Sequence, residues 1–211
     1  MNSADESPAV LLEQAHSIAI VRFNRLARRN ALSSETLTQL EAIISSTTLS
    51  AVCTAIIFTG TGNTFASGAD IREIATLNSE SARPFAERGQ KLFQQIALAS
   101  QLTIAAINGF CMGGALDLAL ACDVRVASAS AVFAHPGANL GIITGWGGTQ
   151  RLPRLIGRAR AFELLMTGRR FDAIEALQMG LITQVADPVL NCAIEICNHL
   201  GGRGGDILSN I

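Results

Sequence analysis

Neither sign of charge dominates this chain. Lys and Arg total 16 against 17 Asp and Glu, a net charge of −1, and charged residues make up only 16% of its 211 positions. That balance leaves no electrostatic footprint for nucleic acid or an anionic membrane surface. Two local basic spots, Arg28-Arg29 and the Arg151–Arg160 segment, suit a phosphorylated small molecule better than a polymer. Cysteine is sparse and unpaired: five residues, an odd number, with no CxxC spacing and mostly apolar neighbours. Such thiols read as buried and reduced, which points to a soluble cytoplasmic protein without disulfides or a metal site. No long apolar run spans a bilayer either, because glycines and Asp117 interrupt the best candidate. The polar, acidic stretch Met1–Pro8 has neither a secretory nor a mitochondrial pattern.

What the chain has in quantity is apolar residues, 49% of the total, enough to bury a large core and to argue against disorder. Segments of strand character alternate with segments of helical spacing. A hairpin over Val10–Leu12 and Ile18–Phe23 precedes a helix capped by Ser33 or Ser34, with Leu37, Leu40 and Ile44 on one face. Strands are expected at Val52–Phe58 and Thr103–Ile107, with a helix over Glu80–Ala97 between them. Short strands at Val124–Ala127 and Ala131–Ala134 lead to a glycine-rich loop, His135–Thr149. Helices over Gln150–Ile156, Ala159–Thr167 and Asp172–Met179, a strand at Leu181–Val185 and a helix at Val189–Leu200 complete the pattern. Recurring strand–turn–helix units mean an α/β fold with sheets covered by helices. One core domain is expected over residues 10–200, between a disordered N-terminal segment 1–9 and a flexible tail 201–211.

Asp117 lies within the most apolar stretch, Ile104–Cys122, one helical turn after Gly113 and Gly114. The first turn of a helix leaves backbone N–H groups unpartnered, at the positive end of the helix dipole. Glycine there lets a ligand oxygen come close, since no Cβ stands in the way. A residue three positions on shares that face, so Gly114 and Asp117 offer an N–H and a carboxylate to one point in space. A carboxylate in apolar surroundings is costly unless compensated. Proton transfer beside a stabilised oxyanion is one explanation; an ion pair with Arg125 is the other. A second glycine-containing segment, Phe65-Ala-Ser-Gly-Ala-Asp-Ile71, also joins a strand to a helix. Two such corners can place two N–H groups around one carbonyl oxygen, the arrangement of an oxyanion hole.

At this point the chain resembles the crotonase, or enoyl-CoA hydratase/isomerase, superfamily over about residues 10–200. The resemblance rests on Asn24-Arg25, Arg29-Asn30-Ala-Leu-Ser33, Phe65–Ile71, Ala105–Gly109 with Gly113-Gly114, and Ala121-Cys-Asp123. It continues through Gly141, Gly147–Pro153, Ala176 and Gly180-Leu181. It implies a spiral of ββα units, an acyl-CoA thioester as substrate rather than a separate cofactor, and an oxyanion hole from the N–H groups of Ala69 and Gly114. It implies too that Asn24–Ala31 and Ala66–Ile71 line the CoA nucleotide. Asn24, Ala66, Ser67, Gly68, Asp70 and Ile71 thus become candidate binding residues together with Gly113, while Arg28 or Arg29 meets the phosphates. Trp146 is expected to line the acyl pocket or to pack in the core.

The departures bear on chemistry. Where related hydratases carry two glutamates, this chain has Asp117 and Gly137; a third carboxylate position used by some isomerases is Gly145. Adding water across an enoyl thioester is easiest with two acid/base groups, whereas one base can shift a double bond by taking and returning a proton. His135, two residues before Gly137, either stands in as the second group or makes an ordinary loop hydrogen bond. The expected function is enoyl-CoA hydration or double-bond isomerisation in fatty-acid-like acyl-CoA metabolism. The rival is a catalytically weak acyl-CoA-binding or scaffold protein. Family members continue past this point with helices that close the acyl pocket and pack in trimers. The ending at Ile211 therefore reads as either a naturally short chain or a truncation, and the expected assembly is a homotrimer or hexamer.

Overall fold

A computed structural model describes residues 7–48, 50 and 52–201. The chain forms β1 (Val10–Ala15), β2 (Ile18–Phe23), α1 (Ser34–Thr48), β3 (Ala55–Gly60), β4 (Thr64–Ala66), α2 (Ile71–Ile74), α3 (Ala82–Ala97), β5 (Leu102–Ile107), β6 (Phe110–Met112) and α4 (Gly114–Ala121). It continues through β7 (Val124–Ala127), β8 (Val132–Ala134), α5 (Gly148–Ile156), α6 (Arg158–Thr167), β9 (Phe171–Asp172), α7 (Ala173–Gln178), β10 (Gln184–Val185) and α8 (Val189–Gly201). A six-stranded sheet runs β1-β2-β3-β5-β7-β10 and a four-stranded sheet β4-β6-β8-β9. Apart from the β1–β2 hairpin and the β8–β9 pair, every pairing is parallel. Each turn of the chain adds one strand to the large sheet, one to the small sheet and then helix: β3-β4-α2, β5-β6-α4, β7-β8-α5. The result is a spiral of ββα units with both sheets covered by helices.

The strands of the large sheet are near-continuously apolar because both their faces are buried. Ile56, Phe58, Ala105 and Ile107 point into a core shared with the small sheet and helices α1, α3 and α4. The alternate residues, Ile57, Ile104 and Ala106, meet Val189, Cys192 and Ala193 of α8 on the other side. All five cysteines are free and buried. Burial pushes the Cys197 thiol up to about 11, and thiols raised in this way are poor nucleophiles. No helix among the described residues is long and apolar enough to cross a membrane.

Element edges differ from expectation where pairing partners decide them. The strand placed at Val52–Phe58 begins at Ala55, opposite Ile18 and Leu102; Val52 is exposed. Strands β6 and β9, three and two residues long, were not anticipated. The long loop after His135 contains a 3-10 turn, Pro136–Leu140, and ends earlier than expected because α5 starts at Gly148. Ser33 does cap α1, its Oγ accepting from Thr36 N at 3.2 Å. The core also reaches further back than residue 10: Ala9 is buried and its carbonyl accepts from Asn24 N at 2.8 Å. The rest of the expected N-terminal segment, residues 1–6, and the tail 202–211 lie outside the described residues.

Arg125 does not pair with Asp117. Its buried guanidinium donates to the carbonyls of Ala119 and Cys122, to Asp123 O at 3.3 Å and to Leu181 O at 2.8 Å. It thereby satisfies carbonyls that the end of α4 leaves free and ties that end to the segment before β10. Burial pulls its proton affinity below that of an ordinary guanidinium. Arg125→Ala strands buried acceptors and should cost about 2–4 kcal/mol of stability, read by urea unfolding. A loss under about 0.5 kcal/mol, the scale of an ordinary surface change, would contradict this role.

Candidate active site

Three parallel strands of the small sheet deliver their C-terminal ends to one place. Strand β4 pairs with β6 through Thr64↔Phe110 and Ala66↔Cys111, and β6 with β8 through Cys111↔Phe133 and Met112↔Ala134. The loops Ser67–Ala69 and Met112–Gly114 and the residue His135 therefore emerge side by side. Ligands of open α/β sheets bind at such carboxyl ends. The first two loops touch closely: a Cβ on Gly68, whose φ is +88°, would lie 2.9 Å from Gly114 N. A Cβ on Gly114 would lie 3.4 Å from Ala69 N and 2.5 Å from the Trp146 ring. Gly114 opens α4, so its N–H has no partner within the helix. Among the described residues, neither the Ala69 nor the Gly114 N–H donates a hydrogen bond.

Asp117, on the first turn of α4, is fully buried. Its Oδ1 lies 2.9 Å from His135 Nε2, and Thr144 Oγ1 donates to its Oδ2. The 2.9 Å approach is close but poorly aligned, so Asp117 Oδ1 and His135 Nε2 both lack a hydrogen-bond partner among the described residues. His135 itself is 3% exposed. Gly148, at the start of α5, closes the other side: a Cβ there would overlap Asp117 Oδ1 and come within 3.0 Å of His135 Nε2.

These groups line a cleft of about 240 Å³. Its walls are mainly apolar, with Ile71, Ile74, Leu77, Phe85, Ile142 and Trp146 among them. Trp146 packs on Phe85 and Phe93, with ring centroids 5.3 Å and 5.5 Å apart. It thus lines the cleft and belongs to the core at once. A neighbouring cleft of about 520 Å³ shares Ser67, Ala69, Ile71 and Pro136 with the first and carries Arg28, Arg29, Arg72 and Arg170.

Most of the residues singled out from the sequence lie in or beside these two clefts. Ser67, Gly68, Ala69, Ile71, Gly113, Gly114, Asp117, His135 and Trp146 line the first cleft, and Arg28 the second. Asn24 lies apart, its Nδ2 donating to Pro8 O at 3.3 Å. Ala66 is buried inside β4 and lines neither cleft. Asp70 borders the second cleft, but its carboxylate is turned to capping α2, accepting from Arg72 N at 2.9 Å. Of the Arg151–Arg160 segment, Arg151 is occupied elsewhere, donating to Gln94 Oε1 at 3.2 Å. Thr144, Gly148 and Arg170 are not among the candidates the sequence offers, although Gly148 belongs to the Gly147–Pro153 motif. Among the described residues no cluster of three His, Cys, Asp or Glu side chains could hold a metal ion.

Converging glycine loops, two N–H groups unpartnered among the described residues and a buried carboxylate–imidazole pair mark an α/β protein with a candidate active-site cleft at its strand ends. The family model for enoyl-CoA hydratase/isomerase matches residues 13–209, and the chain belongs to that family. The short-chain-enoyl-CoA hydratase of Clostridium acetobutylicum is 40% identical over 194 residues, 90% of this chain and 74% of that protein. The crotonyl-CoA hydratase of Syntrophomonas wolfei is 39% identical over 85% of this chain and 69% of its own length. Among solved structures, an enoyl-CoA hydratase from Bacillus anthracis superposes with a TM-score of 0.89 at 37% identity, covering 93% of this chain and 78% of that one. Pseudomonas aeruginosa DspI gives 0.91 at 31% identity, covering 98% and 85%.

Proposed function

We propose that this protein is an acyl-CoA enzyme of the enoyl-CoA hydratase/isomerase type in which Asp117 moves the proton at Cα. The thioester carbonyl sits between the N–H groups of Ala69 and Gly114, and the enolate formed during proton transfer is held there. Each such donor typically contributes about 3–4 kcal/mol to the transition state. The observation that carries this reading is the pair of N–H groups, unpartnered among the described residues, that line the same cleft as a fully buried carboxylate. The four arginines of the adjoining cleft support placing the CoA phosphates there. The small volume of the apolar cleft supports a short acyl chain. CoA enters this reading as part of the substrate, with no separate cofactor.

The test is turnover. Crotonyl-CoA and a 3-enoyl-CoA are incubated with the intact protein and thioester absorbance is followed. Loss of the enoyl band reports hydration, its appearance a double-bond shift. No turnover of either would leave the second reading, an acyl-CoA-binding protein with weak chemistry, which Gly137 and Gly145 favour. Calorimetry with an acyl-CoA would then separate binding from loss of the ligand altogether. A homotrimer, or stacked trimers, is the assembly we propose; exposed Phe162, Met166 and Ile174 on α6 and α7 are apolar surface for it to cover. Light scattering giving a monomer mass at micromolar concentration would contradict it.

A further inference from the structure

Adding water to an enoyl thioester asks for two acid/base groups, one taking a proton from water and one giving a proton to Cα. The cleft has two titratable side chains among its lining residues, Asp117 and His135, and they are in contact. Position 137 cannot supply another in this backbone. A Cβ there would stand 2.8 Å from Ile142 O, in a turn closed by Ile142 N donating to Gly137 O at 3.0 Å. His135 is buried like a structural histidine, yet the Nε2 it turns toward Asp117 has no hydrogen-bond partner among the described residues. A purely structural histidine would leave no buried nitrogen unsatisfied, since that costs about 1–3 kcal/mol. The nitrogen is kept free beside the carboxylate, at the mouth of the same small-sheet strands that carry the two N–H groups.

We infer that His135 is a second catalytic residue, the base that activates water for addition to Cβ, working with Asp117 as a proton-sharing pair. This rests on the acyl-CoA reading above. Hydration uses the form of the pair that carries one proton, on Asp117, and the double-bond shift the form in which Asp117 carries none. As the water oxygen bonds to Cβ, the water's proton passes to His135 Nε2, and the Cα=Cβ electrons move into the thioester. They form an enolate whose oxygen faces Ala69 and Gly114 N–H. The enolate collapses, and Cα takes the Asp117 proton. His135 then returns its proton to Asp117 across the 2.9 Å gap. One water has been added and the pair is restored. Thr144, donating to the other carboxylate oxygen, holds Asp117 in place and leaves Oδ1 as the exchanging atom.

The two tasks separate experimentally, because shifting a double bond needs Asp117 alone. In His135→Gln, hydration of crotonyl-CoA should fall by at least about 100-fold. Conversion of 3-butenoyl-CoA to crotonyl-CoA should fall at least about tenfold less than hydration does, since the single-base route keeps Asp117. Hydration kept within about threefold in His135→Gln would overturn the inference and leave the acyl-CoA reading standing. Equal loss of both activities, in His135→Gln and His135→Asn alike, would also overturn it, reducing His135 to a support for Asp117. The unmodified protein supplies a check that no folding defect can blur. If it shifts the double bond but adds no water, His135 is not a water-activating base. If it does neither, the proposed acyl-CoA enzyme activity itself falls.

Discussion

Asp117→Asn is expected to lower kcat on enoyl thioesters by about 10²–10⁴-fold. Asn is nearly isosteric, can still accept from Thr144 through its amide oxygen, and removes only the ability to take and return a proton. The Ala69 and Gly114 N–H groups are backbone atoms and remain, so KM should move by less than about threefold. The variant should fold, because Asn keeps the shape of the side chain and its contact with Thr144. A kcat within about fivefold of the unmodified protein would remove Asp117 from the chemistry. It would leave Asp117 as one half of a buried polar pair with His135.

Gly148→Ala should be nearly as damaging, although Gly148 touches no substrate in this account. The added methyl group would occupy the space of Asp117 Oδ1 and stand 2.8 Å from Thr144 Cγ2. α5 packs on α4 across this point, and Gly148 is buried. Either the carboxylate or the helix must shift, and a displacement of about 1 Å at a reacting group can cost about 100-fold in rate. The stability cost of such overpacking is smaller, about 1–3 kcal/mol. Activity should therefore fall much further than thermal stability, and unchanged kcat/KM in this variant would mean that Asp117 is not held where the site requires it.

What was legible in the sequence is what depends on neighbours along the chain. Gly114 and Asp117 are three residues apart, so helical spacing alone places them together. The β-branched and apolar runs of β3 and β5 announce buried strands. Their edges were less legible, because β3 starts where Ile18 and Leu102 offer pairing partners rather than where Val52 begins the run. The convergence of the two glycine loops depends on β4 lying beside β6, a pairing 46 residues apart in Thr64↔Phe110, and was reached only through the family resemblance. The Asp117–His135 contact likewise needs β8 beside β6, and periodicity carries no trace of it. Thr144 reaches Asp117 from a loop whose path no local rule predicts.

Several motif residues that carried the resemblance staple the backbone. Asn30 Nδ2 donates to Thr64 O at 2.7 Å, fastening the loop after β2 to β4. Asn108 does the same for Gly60 and Gly62, donating at 3.0 and 2.9 Å. Asp123 accepts from Thr103 N at 2.8 Å, tying the start of β7 to β5. The Asn30 and Asn108 bonds secure chain crossings between the two sheets, while Asp123 joins two strands of the large sheet. Asn24 was grouped with the binding residues because it lies in the same motif, and it too serves the backbone.

The account turns on one placement, that of the thioester carbonyl between Ala69 and Gly114. A crystal structure with butyryl-CoA bound tests it most directly. The account predicts the thioester oxygen within about 2.7–3.1 Å of both backbone nitrogens, with Cα against Asp117 and the phosphates among Arg28, Arg29, Arg72 and Arg170. A thioester seated elsewhere, with those two N–H groups still unpartnered, would contradict it.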